Sequence, residues 1–442
     1  MHDMLVSVAM FGWIPVVFIL FVFLPPRRAV IAAFIFATLF LPIYSYDIPF
    51  FPSYSKMSAT SLGVLLGTVV FDPNRFLNFR PRWYDIPVVL FCIIGPFLTS
   101  IVNGLGAYDG ASWAFSTTVS LGFPYLIGRM YFTDLESLRE LAIGIFLGGL
   151  VYLPFVVWEW RMSPQLHTWV YGYHQHSWMQ TVRDVGLGGF GWRPVVFMNH
   201  GLQLALWMSM TALVGVGLWW WGSLRQLYGF QTAFFAVPLV IVAVMCNSVG
   251  ALFLLMVGLA ALFAAVYLRA KWIPLAMVIA MCGYLLVRAP GIWDAAEAID
   301  LADALFSEQR VGSLEYRIDN ENILLERATE RPVLGWGRFN RMRPEGERTV
   351  TDSWWIIQWG QRGLVGLVSG VAIFLSPVVL FCRRVPPSAW AHPLVIPSVA
   401  LAFVLILYMA DNMLNSMPNP VYTVVAGGLM GLSGVKKGTG NG

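Results

Sequence analysis

Residues 5–24, LVSVAMFGWIPVVFILFVFL, decide the fold class of this chain. A run of about 20 residues without a charge is what a helix needs to cross the hydrocarbon core of a bilayer. No basic segment precedes the run and no small-residue cleavage site follows it. The pattern therefore predicts a retained membrane helix rather than a cleaved signal peptide.

The remainder of the chain continues this pattern. Of its 442 residues, 58% are hydrophobic and only 12% are charged, whereas an ordinary soluble domain carries about 25% charged residues. We therefore predict an all-α, polytopic integral membrane protein with about 12–14 transmembrane helices. The predicted spans lie near residues 5–25, 29–46, 58–72, 86–104, 112–130, 138–158, 194–218, 231–247, 250–268, 272–288, 361–382, 393–412 and 419–434.

Basic residues occur in every second loop between these spans. Arginine and lysine accumulate in cytoplasmic loops, so the alternation predicts an N-terminus outside and a C-terminus in the cytoplasm. Lys56 is the one basic residue in the short loops of the other set. The basic residues of the alternating loops are Arg27, Arg28, Arg75, Arg80, Arg82, Arg129, Arg139, Arg225, Arg269, Lys271, Arg383, Arg384, Lys436 and Lys437.

Two long outer loops divide the chain. Long loops escape the charge rule, and the larger one is predicted to contain an amphipathic helix over residues 313–330, ended by Pro332 and a turn at Gly335-Trp336-Gly337. The predicted organisation is N-terminal membrane helices over 1–158, a periplasmic loop over 159–193, central membrane helices over 194–288, a large periplasmic loop over 289–360 and C-terminal membrane helices over 361–442.

Charge and cysteine usage exclude several function classes. The net charge of +4 is spread over many loops, whereas nucleic-acid binding needs a basic stripe. The four cysteines form no C-x-x-C pair, and His167, His174 and His176 stand among tryptophans and tyrosines rather than carboxylates. We therefore expect no nucleic-acid partner, no metal and no cofactor.

A spaced set of residues in the large loop carries the strongest chemical signal. It comprises Tyr316-Arg317, the segment Glu330-Arg331-Pro332-Val333-Leu334-Gly335-Trp336-Gly337, then Thr351-Asp352-Ser353-Trp354-Trp355, and Gln361-Arg362-Gly363-Leu364-Val365-Gly366. This pattern resembles the O-antigen ligase and polymerase superfamily of bacterial envelope enzymes over roughly 50 residues. A second segment, Arg193 to Asn199 followed by His200, resembles that family's motif at the start of a central span.

Two positions depart from the family's pattern. Asp352 stands where the ligases usually carry histidine. The segment Asn247-Ser248-Val249-Gly250 lacks an arginine that the family commonly carries in a later span. Both departures weaken the transfer of a ligase mechanism, and they fit a polymerase relative at least as well.

The resemblance implies an inner-membrane glycosyltransferase. Such an enzyme takes a glycan from undecaprenyl diphosphate on the periplasmic face and passes it to an acceptor hydroxyl, without a cofactor. The implied partners are the undecaprenyl-diphosphate-linked oligosaccharide, a glycan acceptor, the lipid bilayer, a chain-length regulator and a flippase. We expect a polymerase of exopolysaccharide or O-antigen repeat units. The alternatives are a ligase that transfers finished glycan to a lipid A core and, from another class, a transporter of lipid-linked oligosaccharide.

The reaction assigns roles to particular residues. Arginine binds phosphate bidentately and remains charged beside lipid, so Arg317 and Arg193 are the candidate clamp for the diphosphate, or else they pair with carboxylates or headgroups. Asp352 is the candidate base, or the cap of the following helix. His200 is a second candidate base, or a packed histidine.

Other residues of the motif suit substrate binding rather than proton transfer. We expect Arg331, Trp336, Trp354 and Trp355 to bind substrate, with anchoring at the membrane interface as the alternative for the tryptophans. For Glu159, an ion pair with Arg161 is favoured over catalysis.

Overall fold

The computed structural model describes residues 2–48, 53–175, 191–305, 308–344, 349 and 353–433, and they are largely helical. The first ten helices are α1 (His2–Phe23), α2 (Pro26–Phe40), α3 (Lys56–Phe71), α4 (Asn74–Leu77), α5 (Ile86–Val89), α6 (Gly95–Val102), α7 (Ala107–Thr117), α8 (Phe123–Tyr131), α9 (Leu135–Met162) and α10 (Leu166–Tyr171). The others are α11 (Gly201–Trp220), α12 (Ala233–Met245), α13 (Val249–Tyr267), α14 (Trp272–Arg288), α15 (Ala296–Leu305), α16 (Glu308–Thr329), α17 (Phe339–Met342), α18 (Trp354–Arg384), α19 (Ile396–Asn412) and α20 (Pro420–Gly431).

Shorter elements join these helices. Single π-helical turns, Leu90–Ile94 and Thr118–Gly122, connect α5 to α6 and α7 to α8. Two antiparallel two-stranded ribbons pair β1 (Ser45–Tyr46) with β2 (Tyr54–Ser55) and β3 (Gln226–Leu227) with β4 (Phe230–Gln231). Two 3₁₀ turns lie at Trp83–Asp85 and Pro387–Ala389.

The helices agree with a chain embedded in a membrane. Each of the predicted spans coincides with helix. Among the described residues, six helices are long and apolar enough to cross a membrane, whereas the total number of crossings stays a prediction. The six lie at Met4–Phe23, Trp83–Val102, Leu135–Met162, Gly201–Trp220, Val249–Tyr267 and Trp354–Arg384.

Apolar side chains cover both the interior and much of the outside of the bundle. Helices α11 and α19 are buried along nearly their whole lengths and form its centre. Helix α1 instead exposes large apolar residues such as Val8, Ile19 and Phe23. Contiguous apolar surface of this kind marks an interaction with a membrane or another protein, and the hydropathy of α1 favours the membrane.

The arginines of the predicted cytoplasmic loops meet at one end of the bundle, which we call the basic end. Hydrogen bonds link these loops to one another rather than to the opposite end. They join Arg27 to Asp134, Arg75 to the carbonyl of Met130, Arg139 to the carbonyl of Ser223, and Arg384 to the carbonyl of Met430. The other end, called the loop end, carries α16 and the turns around residues 103, 199 and 415.

Helix boundaries differ from the prediction at two places that matter for the site. Helix α11 begins only at Gly201, because the preceding segment bends at Val196, whose φ is 55°. Helix α18 begins at Trp354, inside the predicted loop. The amphipathic helix predicted over residues 313–330 is present as α16, which buries Ile318, Leu324 and Ala328.

Candidate functional site

Helix α18 is broken at Gly363. Its φ of 62° and ψ of −163° interrupt the helix, in a backbone region that is essentially restricted to glycine. A break frees backbone N–H and C=O groups, which must find other partners where water is scarce. Those partners come from the turn over residues 332–337.

The turn supplies four backbone hydrogen bonds to the break. Leu364 and Val365 donate to the carbonyls of Pro332 and Val333 at 2.7 and 3.2 Å, and Trp336 and Gly337 donate to the carbonyls of Gly360 and Gln361 at 2.8 and 2.9 Å. The two glycine-containing halves of the sequence motif, residues 332–337 and 361–366, are therefore one structural unit.

Two glycines permit this close approach. A Cβ at Gly363 would lie 2.2 Å from the carbonyl carbon of Val333, and one at Gly335 would lie 2.6 Å from the amide nitrogen of Arg362. Gly335 also has a φ of 64°, a conformation that side chains other than glycine disfavour. Steric contact thus requires glycine at both positions.

Arg331 and Trp336 hold the docked turn against the α6–α7 connection. The guanidinium carbons of Arg327 and Arg331 lie 3.7 and 4.1 Å from the centre of the Trp336 ring. Arg331 donates to the side-chain oxygen of Asn103, whose amide donates to the carbonyl of Gly335 at 2.9 Å. These two predicted substrate-binding residues are therefore occupied in positioning the turn.

A buried ion pair fixes α16 beside the start of α18. Arg288 contacts Glu321 at 3.4 Å, and both side chains are at most 1% exposed. Burial raises the pKa of the Glu321 carboxyl, and this effect outweighs the opposing effects of Ser353 and Arg288. Trp355 is fully buried and packs near the Arg288 guanidinium, so its ring offers no face to a sugar in this conformation.

Arg317 lies one helical turn before Glu321 in α16. It is half-buried and interacts electrostatically with Asp411. Asp411 accepts a hydrogen bond from the side chain of Asn415 at 2.9 Å, and the carbonyl of Asn415 accepts from the Trp354 amide at 3.3 Å. Asp352 lies outside the described residues and immediately precedes Ser353 in the chain.

Two adjoining cavities open at the loop end beside these residues. The first has a volume of about 260 Å³ and is lined by Lys56, Asn199 and Gln203 among others. The second, of about 280 Å³, is lined by Trp354, Arg362 and other residues. Met57 and Pro418 line both, so the two cavities share a wall.

Each cavity presents one cation. Lys56 donates to the carbonyls of Thr38 and Phe197, both at 3.3 Å. Arg362 donates to the carbonyl of Phe91 at 3.1 Å and to the hydroxyl of Thr117 at 3.2 Å. Among the described residues, neither basic side chain has a carboxylate within ion-pair distance, and an anionic ligand would find the Arg362 charge uncompensated.

Arg193 and His200 flank the first cavity without lining it. Arg193 donates to the carbonyl of Asn247 at 3.0 Å, in the segment that lacks the family's arginine. The Nδ1 atom of His200 accepts from the amide of Leu202 at 3.0 Å and caps α11. Asn199, which lies between them in the chain, reaches the cavity.

Glu159 is held by backbone amides. It is fully buried and accepts from the amides of Leu166, Val195 and Val196 at 3.0, 2.8 and 2.7 Å. No ion pair with Arg161 occurs within the part of the chain that the structure describes. The expected salt bridge is wrong, because converging backbone N–H groups solvate the carboxylate instead.

His167 is likewise a structural residue. Its Nε2 accepts from the amide of Ile43 at 3.3 Å, and its Nδ1 donates to the carbonyl of Tyr173 at 2.8 Å. Burial lowers the pKa of His167 to about 4. His176 lies outside the described residues, and within them no three histidine, cysteine or acidic side chains group as metal ligands would.

Comparison with known proteins returned no relative. No protein-family model, curated protein or solved structure matches this chain. Function is therefore argued from the geometry of the site together with the motif quoted above.

Sequence reasoning missed the two cavity cations, although signals for both were present. Lys56 is the one basic residue in loops otherwise free of basic residues, which is unusual enough to mark a functional position. Arg362 stands within the quoted motif, between Gln361 and Gly363, but the resemblance rests on the neighbouring glycines and predicts no role for it.

Proposed function

We propose that this protein is a membrane glycosyltransferase that uses undecaprenyl-diphosphate-linked glycans at the periplasmic face and polymerises repeat units. One observation carries the proposal. The turn over residues 332–337 docks on the break at Gly363, and this contact sets Arg362 and Trp354 in the wall of a cavity at the loop end. Lys56 and Arg362 line cavities that also contact the α19–α20 connection at Pro418, and Arg317 interacts electrostatically with Asp411 near the end of α19.

The cations suit a diphosphate leaving group. The acceptor oxygen would form a bond to the anomeric carbon while the bond from that carbon to the diphosphate oxygen breaks. Negative charge then increases on the departing undecaprenyl diphosphate, and fixed guanidinium groups stabilise that charge. Arg362 and Arg317 are suited to this role. Arg193 is a third candidate, because it lies on the segment that leads to Asn199 in the first cavity.

The acceptor hydroxyl must lose its proton to a base. Asp352 is the candidate base that the sequence offers, and it stands two residues before Trp354, which lines the cavity. A carboxylate can accept that proton. His200 is the weaker candidate because its Nδ1 already accepts a backbone hydrogen bond.

The test is glycan transfer by the full-length protein in proteoliposomes with lipid-linked repeat units. We expect R317A to reduce the rate of transfer at least a hundredfold. Without the Arg317 charge, the transition state loses stabilisation of the departing diphosphate, and each tenfold loss of rate corresponds to about 1.4 kcal/mol. R383A is the matched control, since Arg383 is an exposed arginine at the opposite, basic end of the bundle. A wild-type rate of transfer in R317A would overturn the assignment of Arg317 to diphosphate binding.

The products of the same assay separate the reactions. A polymerase yields longer glycans on the lipid carrier, whereas a ligase moves a finished glycan to a lipid A core without lengthening it. D352N distinguishes a base from a helix cap, because asparagine caps about as well as aspartate. Full activity in D352N would remove Asp352 as the base.

One feature favours a second function, transport of lipid-linked oligosaccharide. Transporters place broken helices beside a substrate cavity, and α18 is broken at Gly363 beside such a cavity. Movement of intact substrate across proteoliposomes, with no new glycosidic bond, would favour the transporter over the enzyme.

A further inference from the structure

A second site lies at the basic end, far along the bundle from the cavities described above. Here a cavity of about 890 Å³ lies between four parts of the chain that are distant in sequence: residues 72–84, 129–133, 384 and 431–433. Its arginines are Arg75, Arg80, Arg82, Arg129 and Arg384.

Positive charge in this cavity is only partly compensated. Arg75 pairs with Asp72 at 3.2 Å, and Arg129 pairs with Asp85 at 2.8 Å. Within the described part of the chain, no carboxylate lies within ion-pair distance of the other three arginines, so three positive charges remain. Like charges around one cavity repel unless an anion joins them.

The five arginines differ in how the protein holds them. Arg384 donates to the carbonyls of Met430 and Leu432 at 2.8 and 2.6 Å, which fixes the guanidinium at the cavity wall. Arg80 and Arg82 are exposed at the rim. A guanidinium has five N–H donors, so a fixed arginine and two rim arginines retain donors for a ligand.

We propose that this cavity binds an anion that carries two phosphate groups. Arginine is the preferred partner of phosphate oxygens because its planar fork donates two parallel hydrogen bonds. A single phosphodiester, with one negative charge, would leave two of the three charges uncompensated. Two phosphates balance the charge more closely, and a cavity of about 890 Å³ has room for both.

The surroundings place the cavity at the depth of lipid headgroups. Trp83 lines it and is 72% exposed, and the neighbouring Leu77 is 73% exposed. Exposed tryptophan beside arginine is typical of the membrane–water interface, and basic pockets between membrane helices bind anionic headgroups. The two phosphates could belong to a lipid headgroup or to a soluble diphosphate.

Binding to the purified full-length protein in detergent tests the proposal. The lipid probe is cardiolipin, compared with phosphatidylglycerol and phosphatidylcholine by native mass spectrometry, and the soluble probe is inorganic pyrophosphate by calorimetry. We expect R80Q/R82Q to weaken binding of a two-phosphate probe at least tenfold. The control R269Q/K271Q removes the same charge from exposed residues outside the cavity and should change binding less than twofold.

Each outcome of these binding measurements either identifies the ligand or overturns the site. Cardiolipin binding without pyrophosphate binding identifies a lipid headgroup, and pyrophosphate binding with the same dependence on Arg80 and Arg82 identifies a soluble ligand. If R80Q/R82Q and R269Q/K271Q lose binding of the probe equally, the probe is attracted to general surface charge and the site is overturned. A cardiolipin affinity no greater than the phosphatidylglycerol affinity would also overturn it. If R80Q/R82Q does not elute as the wild type, single R80Q and R82Q variants replace it, each with an expected threefold loss.

Discussion

Replacing Gly363 by alanine is the sharpest test of the docked turn. The added Cβ would lie 2.2 Å from the carbonyl carbon and oxygen of Val333 and 2.4 Å from the amide of Leu334. Alanine would also have to adopt a φ of 62° and a ψ of −163°. Both effects act on the same contact, so the turn over residues 332–337 either stays docked under strain or moves away.

The loss of stability in G363A follows from two alternative routes, one in which the turn stays docked and one in which it undocks. Keeping the turn docked costs about 1–3 kcal/mol in backbone strain and about 1–3 kcal/mol in overpacking. Undocking it instead loses the four hydrogen bonds between the turn and the break, at about 0.5–1.5 kcal/mol each. Either route predicts that G363A is destabilised by roughly 2–6 kcal/mol.

Hydrogen exchange in detergent, read by mass spectrometry, separates these routes. If the turn undocks, the amides of Trp336, Gly337, Leu364 and Val365 should exchange at least tenfold faster in G363A. The matched control is G283A, because a Cβ at Gly283 in α14 meets nothing within 4 Å. That change should be neutral or slightly stabilising. Unchanged exchange and unchanged thermal stability in G363A would refute the reasoning.

Two further predictions concern buried polar groups. Arg288→Met should lower stability by about 3–5 kcal/mol because it leaves the Glu321 carboxylate buried without its partner. Arg288→Met/Glu321→Leu should recover part of this loss in thermal unfolding, and a double variant no better than the single one would contradict it. The second prediction concerns His167, whose folded-state pKa of about 4 lies below its ordinary value of 6.5. Its neutral form therefore contributes stability above pH 6.5 that is lost as the pH falls towards 4, by up to about 3 kcal/mol. Between pH 7 and 4 the melting temperature should fall less in His167→Gln than in the wild type. An equal fall in both proteins would exclude His167 as the cause of the pH dependence.

Local patterns were sufficient to predict many of the helices. Helix α16 was expected from its apolar spacing, and the turn at Gly335 and Gly337 from its glycines. Helix α18 was expected to begin later, because Trp354 to Gly360 was assigned to the polar loop. The start of α11 was also misplaced, because the bend at Val196 depends on its contact with Glu159, 37 residues away in the chain.

The candidate site was predictable only in its sequence elements. The motif halves 332–337 and 361–366 could be quoted, but nothing local indicates that one half satisfies the backbone of the other. Nothing in the sequence near Arg317 indicates its electrostatic interaction with Asp411, 94 residues away in the chain. Trp355, for which the sequence predicts substrate binding, is enclosed by Arg288, Tyr284 and Trp359.

Hydropathy and the distribution of arginine by themselves determined that this chain belongs in a bilayer and roughly where its helices run, because each helix responds to its immediate solvent and satisfies its own backbone. Tertiary structure alone decided which polar groups meet: the turn at 332–337 with the break at Gly363, Lys56 and Arg362 in adjoining cavities, and the arginines of three segments around one space. Such pairings join residues far apart in the sequence, and their energies depend on burial and geometry that exist only after the helices have packed.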